Sequence, residues 1–466
     1  MVSPASETVV LHVPWQGQNP QPLLLRRLEG SEGLGTCFEY ALTFDTPDCD
    51  ITPEAVLGQR CSVEISLGAR GQRWLDGYVS ELGHLGYAGK HARYRLVLRP
   101  GLWLLSRNRD CRVFERQSVP EILAELLAFH GQSDVDFRLS EGYRPRAQCV
   151  QYLESDLTFA QRLMHEEGMY YFFEHEPRRH VLVIADSARA HAAARGCESL
   201  PFRAAERPAR GAAGPVVHRW TSRQKLLAAG VALPGAELER APLELTHSRV
   251  DATQRVRHPV EIFDYPGAPG DYEEGARQSR LRLDELLASY EACEGATDAP
   301  GLYAGARFAL SGVPRKADNR EYLLISQSFV LDCEPASTEL RYYASLRACD
   351  AGRAYRMQQI RKPNRIQGVQ LARVVDAELP PRPDAVRVRF VWDRGARLAR
   401  AGSCWATVFR GDNEADDAWP QAGDDVLVEF LDGDPDRPVI IGRPRRSPVG
   451  VTVTERGKPR VLRTVS

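Results

Sequence analysis

The sequence predicts a mainly β protein in which a few helices are inserted between strands, an α+β arrangement. Apolar and polar residues alternate over the first hundred residues and again after residue 385, as they do in strands with one buried face. A helical period appears in only three stretches. With 466 residues, the chain is long enough for two to four domains of roughly 100–200 residues each.

The composition is that of a folded protein with almost no net charge. Apolar residues make up 43% and charged residues 26%, which excludes a wholly disordered, collagen-like or coiled-coil chain. The 61 basic and 62 acidic residues leave a net charge of −1, so charge alone does not direct the whole chain to nucleic acid or a membrane. Apolar runs fall far short of the ~20 residues that span a bilayer. The start of the chain lacks the basic and apolar regions of a signal peptide, and we expect synthesis in the cytoplasm.

Ten cysteines are spread along the chain without a CxxC pair, so neither a zinc ribbon nor a thioredoxin motif is available. Cys37, Cys61 and Cys404 fall in strand-like runs, where a thiol acts as a small hydrophobic group. We expect ordinary thiols that are mostly buried.

The first hundred residues are predicted to form strands whose apolar side chains share one face. Three runs have as their apolar residues Phe38, Tyr40, Leu42 and Phe44; Cys61, Val63, Ile65 and Leu67; and Tyr94, Leu96 and Leu98. Turn residues at Asp76-Gly77 and Tyr87-Ala88-Gly89 are expected to separate the strands, which favours a barrel or sandwich.

A helix is predicted to begin at Ser118, where Ser118 and Glu121 form a capping box. Its apolar stripe consists of Ile122, Leu123, Leu126 and Leu127. Gly131 supplies the left-handed residue that ends such a helix.

A second helix is predicted from Ser155 or Asp156 to His165, with Gly168 as its stop. Its apolar stripe consists of Phe159, Leu163 and Met164. The runs Met169 to His175 and His180 to Ala185 follow and predict a β-hairpin.

The middle of the chain gives weaker signals. Residues 186 to 245 have little periodicity, and we predict no elements there. A third helix is expected from Tyr272 to Cys293, followed by strands at Arg307 to Leu310 and Tyr322 to Val330. Polarity rises and periodicity vanishes around Arg361-Lys362-Pro363-Asn364, which we take as a domain boundary.

Beyond that boundary the pattern of short strands predicts a small barrel of the oligonucleotide/oligosaccharide-binding (OB) type. The runs that predict it are Val386 to Phe390 with Arg387 and Arg389 opposite, Cys404 to Phe409, Val426 to Phe430, and Pro438 to Gly442 after the turn at Asp432-Gly433-Asp434-Pro435.

The last 24 residues, Arg443 to Ser466, carry seven basic groups and one acid, a net charge of 7 − 1 = +6. Val449, Val451 and Val453 alternate with small residues, and a turn at Arg456 to Pro459 can lead into Val461 to Val465. One hypothesis is a stub pair of strands at a threefold axis. The alternative is a frayed basic terminus.

Several motifs in fixed order, from about residue 8 to residue 443, resemble the VgrG family of type VI secretion spike proteins. The motifs are Asp110 to Phe114, Ser118 to Ile122, Cys149 to Tyr152, Glu154 to Asp156, Glu166 to Phe173, Tyr265 to Gly267, Ser403 to Trp405 and Gly433 to Pro438.

The resemblance implies both a fold and an assembly. It implies a hub of two β-barrel subdomains with inserted helices over residues 1–362, a small OB-fold barrel as spike base over residues 363–443, and a short basic tail over residues 444–466. It also implies a homotrimer seated on an Hcp-type hexameric tube among baseplate proteins, carrying an effector or adaptor. Such a protein is assembled in the cytoplasm and exported through the type VI apparatus without a signal peptide.

Two departures from the family pattern bear on partners. The family continues beyond Gly442 into a long β-helical needle, and we expect this chain to lack that needle. A PAAR cap would then lack its usual binding site. The segment Phe409 to Ala418 replaces a longer Trp- and Gly-containing loop and contains four acids.

No constellation of residues predicts catalysis, a metal site or a cofactor. The most tempting cluster is His165, Glu166, Glu167, His175 and His180, but its order is HEEGM and not H-E-x-x-H, so the zinc-protease geometry fails. P-loop, G-x-S-x-G and G-x-G-x-x-G motifs do not occur. Arg410-Gly411-Asp412 matches an adhesion tripeptide, and an ordinary turn explains it better.

Nucleic-acid binding by the barrel is the strongest competing hypothesis. Trp392, Trp405 and Trp419 are available as stacking platforms, whereas the acidic loop from Asp412 to Asp417 would repel phosphate. We therefore expect a noncatalytic spike and hub, with no membrane anchor and no specific nucleic-acid partner. Two further hypotheses are a phage-tail-like hub whose needle is another chain, and a specialised paralogue that binds cargo through the altered loop.

Overall fold

Strands dominate the described part of the chain. The computed structural model describes residues 9–15, 22–204, 214–228, 230–234, 245–249, 260–263, 272–333, 340–358, 364–375, 384–393, 402–409, 419–444, 451–455 and 458–462. Two units make up the chain, the first from Met1–Arg109, Ser118–Arg144 and Ser155–Lys362, and the second from Asp110–Gln117, Pro145–Glu154 and Pro363–Ser466. No helix in the described ranges has the length and apolar character needed to cross a bilayer.

The α-helices of the described ranges are short, apart from the last. They are α1 Pro53–Val56, α2 Gly101–Leu104, α3 Val119–Phe129, α4 Asp156–Glu166 and α5 Tyr272–Ala288.

The strands of the described ranges fall into six hydrogen-bonded groups. As far as residue 263, they are β1 Val9–His12, β2 Leu24–Gly33, β3 Thr36–Thr46, β4 Arg60–Ser66, β5 Gln72–Ala88, β6 His91–Arg99, β7 Arg109–Gln117, β8 Val135–Arg138, β9 Arg146–Ser155, β10 Tyr170–Glu176, β11 Arg179–Ala185, β12 Ser199–Pro201, β13 Val217–Gln224, β14 Gly230–Pro234, β15 Leu245–Arg249 and β16 Glu261–Phe263. From residue 291 onward they are β17 Glu291–Thr297, β18 Arg307–Ser311, β19 Glu321–Cys333, β20 Leu340–Asp350, β21 Gln370–Val374, β22 Ala385–Phe390, β23 Cys404–Val408, β24 Asp425–Phe430, β25 Pro438–Gly442, β26 Val451–Glu455 and β27 Lys458–Leu462.

The first unit is built on one twelve-stranded sheet. Its main path runs β1-β4-β5-β6-β3-β2-β19-β20-β17-β13, and β18 joins β12 to β19. Strands β1 to β6 come from the first hundred residues, and the remaining strands come from beyond residue 198. The two halves meet where β2 pairs antiparallel with β19, from Ser326 opposite Gly33 to Asp332 opposite Arg27. The mainly β fold with inserted helices is therefore confirmed.

The apolar faces predicted for β3, β4 and β6 are buried. Their predicted inward residues, Phe38, Tyr40, Leu42, Phe44, Cys61, Val63, Ile65, Leu67, Tyr94, Leu96 and Leu98, are all at most 6% exposed. The β5–β6 connection, at Gly89 and Lys90, overlaps the predicted turn only at Gly89, because Tyr87 and Ala88 are the last residues of β5.

The turn expected at Asp76-Gly77 is wrong, because both residues lie inside β5. The Asp76 carboxylate is buried and accepts hydrogen bonds from Arg60 Nε at 2.8 Å and Ser62 Oγ at 2.6 Å. A Cβ at Gly77 would lie 3.1 Å from the Phe38 ring and 3.0 Å from the carbonyl oxygen of Arg99. Asp76 therefore belongs to a buried ion pair with Arg60, and Gly77 leaves space for the Phe38 ring, so these two residues do not form a turn.

The two N-terminal helix predictions are confirmed. Helix α3 has the capping box of Ser118 and Glu121, and its predicted stripe is buried. Gly131 has a φ of +66°, the left-handed conformation that ends the helix. Helix α4 begins after its N-cap Ser155, whose hydroxyl accepts from the N–H of Thr158. The hairpin follows as β10 and β11, paired from Tyr170 with Ala185 to Glu176 with Arg179.

The middle of the first unit contains more structure than the sequence indicates. Strands β12, β13 and β14 lie in the stretch where the sequence predicts no elements, and β20 is not predicted either. The predicted third helix is too long. Helix α5 ends at Ala288, the Ser289 hydroxyl donates to the carbonyl oxygen of Leu286, and Cys293 belongs to β17 opposite Ala348. The predicted strands around Arg307 and Tyr322 are present as β18 and β19.

The second unit contains the predicted barrel, closed in the order β21-β22-β23-β25-β24. Its core includes Val386, Val388, Phe390, Cys404, Val426, Val428, Phe430 and Ile440. A two-stranded ribbon of β7 and β9 belongs to the same unit, although it comes from the N-terminal half of the chain.

Several predictions fall wholly or partly outside the described residues. These are the boundary residues Arg361, Lys362 and Pro363, the Tyr265 to Gly267 motif, and the loop from Arg410 to Ala418 with its adhesion-like tripeptide. In the tail, β26 pairs with β27 from Val451 opposite Leu462 to Glu455 opposite Lys458. The location of this pair at a threefold axis stays a prediction.

A glycine without space for a side chain fixes the packing where the two halves of the sheet meet. A Cβ at Gly30 in β2 would lie 2.2 Å from Cζ of Phe329 in β19, so the Phe329 ring occupies the place of a side chain at position 30. At Gly83 in β5, the nearest atom is the carbonyl oxygen of Arg95, 4.0 Å away.

We predict that Gly30→Ala lowers the free energy of unfolding by about 1–3 kcal/mol, because the Phe329 ring must move out of a packed interior. The matched control Gly83→Ala should change it by at most about 0.5 kcal/mol. Urea unfolding of the two variants checks this. Equal effects of the two substitutions would contradict the packing role of Gly30.

Candidate functional site

The five residues of the candidate histidine and glutamate cluster do not meet at one place. His165 lies on α4 and accepts a hydrogen bond from Arg282 Nη1 at 2.9 Å. Glu166 pairs with Arg162 at 3.0 Å, and Glu167 accepts from Arg277 Nη2 at 2.6 Å. Only the other two histidines come together, opposite each other in the β10–β11 hairpin.

That pair, His175 and His180, has ring centroids 6.1 Å apart. Among the residues that the structure describes, no group of three or more His, Cys, Asp or Glu side chains has metal-binding geometry. The pair belongs instead to a hydrogen-bonded network, the hub network, whose central side chains are Glu32, Tyr40, Arg73, Asp76, His175, His180 and Gln327.

Backbone N–H groups determine the tautomers of both histidines. The N–H of Gly101 donates to Nε2 of His180 at 3.1 Å, so the His180 proton is on Nδ1, which donates to Oδ1 of Asp76 at 2.8 Å. The N–H of Asp76 donates to Nδ1 of His175 at 3.0 Å, so the His175 proton is on Nε2. Both rings are therefore neutral.

The network continues from His175 to a buried carboxylate. His175 Nε2 donates to the Tyr40 hydroxyl at 3.0 Å, and this hydroxyl donates to Oε2 of Glu32 at 2.8 Å. Glu32 also accepts from Arg73 Nη2 at 3.2 Å, Gln327 Nε2 at 2.6 Å and the N–H of Ala304 at 2.9 Å. Every link has one donor and one acceptor, the arrangement in which a buried polar network stabilises a fold.

The charges of the hub network are balanced in two ion pairs, Arg73 with Glu32 and Arg60 with Asp76. Burial alone would lower the pKa of Arg73, but the charge of Glu32 raises it. Burial alone would raise the pKa of Asp76, but hydrogen bonds from His180, Ser62 and Arg60 hold it below its usual value. Burial lowers the pKa of His175 well below its usual value near 6.5, so it stays neutral at pH 7.

A third histidine, His191, holds the start of the hairpin. His191 Nδ1 donates to the carbonyl oxygen of Gly305 at 2.8 Å, and its Nε2 accepts from the Tyr170 hydroxyl at 2.8 Å. Burial lowers the pKa of His191 to about 4. The hairpin is thus held at its first residue through Tyr170 and near its turn through His175.

The hub network is suited to holding strands together rather than to chemistry on a substrate. Its members come from β2, β3, β5, β10, β11 and β19, and Glu32, Tyr40, Arg73, Asp76 and His180 are each at most 9% exposed. Of the cysteines, seven are buried, Cys37 and Cys333 are half-buried, and Cys49 is exposed.

Glu32, Arg73 and Gln327 are not among the residues predicted from the sequence. A signal for the first two is present in the alternation of the strands. Arg73 has the same parity as the buried Leu75 in β5, and Glu32 has the same parity as the buried Leu28 in β2. A charged residue at an inward position of an alternating strand therefore predicts a buried ion pair.

Two of the three tryptophans considered for nucleic-acid stacking pack inside the second unit. Trp392 and Trp419 pack against the barrel core, and the Trp392 ring stacks on Phe390 with centroids 4.7 Å apart. Trp405 lies on the outer face of β23, since its neighbours Cys404 and Ala406 are buried.

Two family models match the chain. The phage tail baseplate hub (GPD) model covers residues 31–332, and the type VI secretion system/phage-baseplate injector OB domain model covers residues 370–443. The type VI secretion spike protein VgrG1b of Pseudomonas aeruginosa is 34% identical over 441 residues, which cover 90% of this chain and 58% of the relative. VgrG1a of the same species is 33% identical, with 91% of this chain and 68% of the relative covered.

A solved structure shows the same fold at lower identity. It is the Escherichia coli c3393 protein, described as a component of the type VI secretion system that is structurally similar to the bacteriophage T4 tail proteins gp27 and gp5. The TM-score is 0.69 at 23% identity, with 93% of this chain and all of that chain covered. The chain spans about three fifths of the length of the first two curated relatives.

We predict that Glu32→Gln lowers the free energy of unfolding by about 3–5 kcal/mol, because it leaves the buried Arg73 charge uncompensated. Glu29→Gln is the matched control on the same strand. Glu29 pairs with Arg27 on the exposed face, so its loss should cost less than about 1 kcal/mol. Denaturant unfolding at pH 7 measures both. A small effect of Glu32→Gln would mean that Arg73 finds another partner.

We predict that stability falls as the pH drops below about 6.5, in part because His191 is neutral when folded. The unfolded chain protonates this histidine near pH 6.5 and the folded chain only near pH 4, so the unfolded state binds more protons in this window. The loss attributable to His191 approaches about 3 kcal/mol at pH 4. Unfolding free energies of His191→Gln should therefore depend less on pH than those of the wild type. Urea unfolding at a series of pH values between 4 and 7 measures both proteins, and equal slopes would contradict the prediction.

Proposed function

Because the chain belongs to the VgrG family of type VI secretion spike proteins, we propose that it acts as a noncatalytic hub and spike component of a contractile injection apparatus. The observation that carries the proposal is the order of the two matched regions, a hub region followed by an injector OB domain, over most of the chain. Two relatives that match 90–91% of this chain at 33–34% identity are spike proteins.

The hub network supports a mechanical role. A spike is pushed through a target envelope as a rigid body, so it needs resistance to local opening more than a reactive site. Strands that are joined by buried ion pairs open only by exposing uncompensated charge, which is costly. The balanced ion pairs at Glu32 and Asp76 meet this need.

The proposal includes partners, domains and location. We propose a homotrimer that sits on an Hcp-type hexameric tube among baseplate proteins and carries an effector or adaptor. Residues 1–362 would form the hub, residues 363–443 the spike base, and residues 444–466 a basic tail. Assembly would take place in the cytoplasm and export through the type VI apparatus itself.

The test is contraction-dependent release of the Hcp-type tube protein from cells in which this chain is the only VgrG protein. We predict that deletion abolishes release, and that the wild type and Glu29→Gln restore it. Glu32→Gln should restore it poorly, because the hub network loses its central charge. Full release without the chain would overturn the proposal.

Light scattering of the purified chain provides an independent measurement of assembly. A mass of three times 52.1 kDa is expected for the hub. A stable monomer whose mass increases when an oligonucleotide is added would contradict the proposal and favour nucleic-acid binding by the barrel.

A further inference from the structure

The outer face of β22 and β23 has the composition of a nucleic-acid-binding surface. Val386 and Val388 point into the barrel core, so Arg387 and Arg389 point outward. The Arg387 guanidinium lies 5.6 Å from the centroid of the Trp405 ring on the neighbouring strand. OB-fold barrels bind oligonucleotides and oligosaccharides on their second and third strands, which are β22 and β23 here. Adjacent arginine and tryptophan side chains are typical of sites for single-stranded nucleic acid.

In this chain, the ribbon β7–β9 contacts that face at Arg387 and also packs against the barrel core. Glu115 of β7 forms a hydrogen-bonded ion pair with Arg387, which neutralises the cation that would meet a phosphate. Val113 of β7 and Tyr152 of β9 pack against the barrel core. The Tyr152 ring meets Trp392 edge-on, with centroids 5.4 Å apart.

The ribbon also completes the hydrogen bonding of an open seam in the barrel. Among the described residues, β23 pairs with β25 only through Thr407 with Val439 and Val408 with Ile440, so the seam is open at Trp405. The N–H of Trp405 donates to Oε1 of Gln148 at 2.9 Å.

On the other side of the seam, the ribbon binds the turn before β25. Gln148 Nε2 donates to the carbonyl oxygen of Asp436 at 2.8 Å, and the N–H of Val150 donates to Oδ1 of Asp436 at 2.6 Å. The amide of Gln148 therefore bridges the two sides of the seam.

We propose that the ribbon β7–β9 occupies the site at which other OB-fold barrels bind their ligands. It occupies the β22–β23 face and closes the seam between β23 and β25, so this face does not accept nucleic acid. The side chains that carry the proposal are Glu115 and Gln148 on the ribbon and Arg387 on the barrel.

The end of the ribbon is anchored in a way that ordinary surface packing does not require. Leu153 has a φ of +47°, a left-handed conformation that costs a leucine about 1–2 kcal/mol. Asn364 Nδ2 donates to the carbonyl oxygens of Tyr152 and Leu153, both at 3.0 Å. The residues leading into the barrel thus hold β9 in a strained conformation on the barrel.

Hydrogen exchange of the full chain, read by mass spectrometry at the Cys404–Val408 peptide, tests the proposal. We predict that Gln148→Ala speeds exchange there about fivefold, the effect of one lost hydrogen bond of about 1 kcal/mol. Gln370→Ala, a matched substitution on β21, should leave that peptide unchanged. If Gln148→Ala also leaves it unchanged, the ribbon does not seal the seam and the proposal is overturned.

A second variant and a ligand probe complete the test. Glu115→Gln keeps the shape of the side chain and removes its charge, and it should speed exchange in the Ala385–Phe390 peptide but not in β21. An oligodeoxythymidylate of about 16 nucleotides should leave the exchange of β22 and β23 unchanged in the wild-type chain. Slower exchange of these strands on adding the oligonucleotide would show that the face is open, and would overturn the proposal.

Discussion

The first unit depends on the burial of one carboxylate, that of Glu32. A buried charge costs several kcal/mol unless it is paired and fully hydrogen-bonded. Glu32 meets this condition through Tyr40 of β3, Arg73 of β5, Gln327 of β19 and the N–H of Ala304. These partners are up to 295 positions away in sequence. The two halves of the sheet therefore cannot shift in register without leaving a charge unpaired, and the same interaction fixes β10 through His175.

The surrounding packing follows from this arrangement. Phe329 lies over the place of a side chain at Gly30, and the Arg73 guanidinium sits 4.8 Å from the centroid of its ring. Gly30 and Phe329 are thus needed for the ion pair to be both enclosed and correctly placed. Hydrogen bonding also keeps His175 neutral. Its Nδ1 accepts the N–H of Asp76, and protonation of Nδ1 would break that bond. His175 and His180, which resemble metal ligands in the sequence, instead connect strands through hydrogen bonds.

The sequence predicts local structure well and long-range polar pairing poorly. Alternation and capping identify β3, β4, β6, α3, α4, the β10–β11 hairpin and the barrel strands β22 to β25, because these signals depend on near neighbours. Strand β21 of the barrel is not predicted. The turn at Asp76-Gly77 is wrongly predicted because a turn and a buried ion pair use the same residues, and only Arg60 and His180 distinguish them. The end of α5 is not evident because the chain enters β17 through small and polar residues. Of the hub network, the sequence alone indicates inward charges at Glu32 and Arg73, but not that they meet.

The same principle operates in both units, where a polar group from one part of the chain completes a sheet built from another. In the first unit Glu32 connects β2 to β19. In the second unit Gln148 connects Trp405 of β23 to Asp436, before β25. Such bonds between distant segments make each unit depend on chain far outside its main run of strands. Opening of one seam would then expose unpaired backbone and charge together, so the cost of local opening approaches that of unfolding the unit. A protein that transmits force, as proposed here, benefits from that cooperativity, whereas a barrel that must admit a ligand would need its second and third strands to remain uncovered.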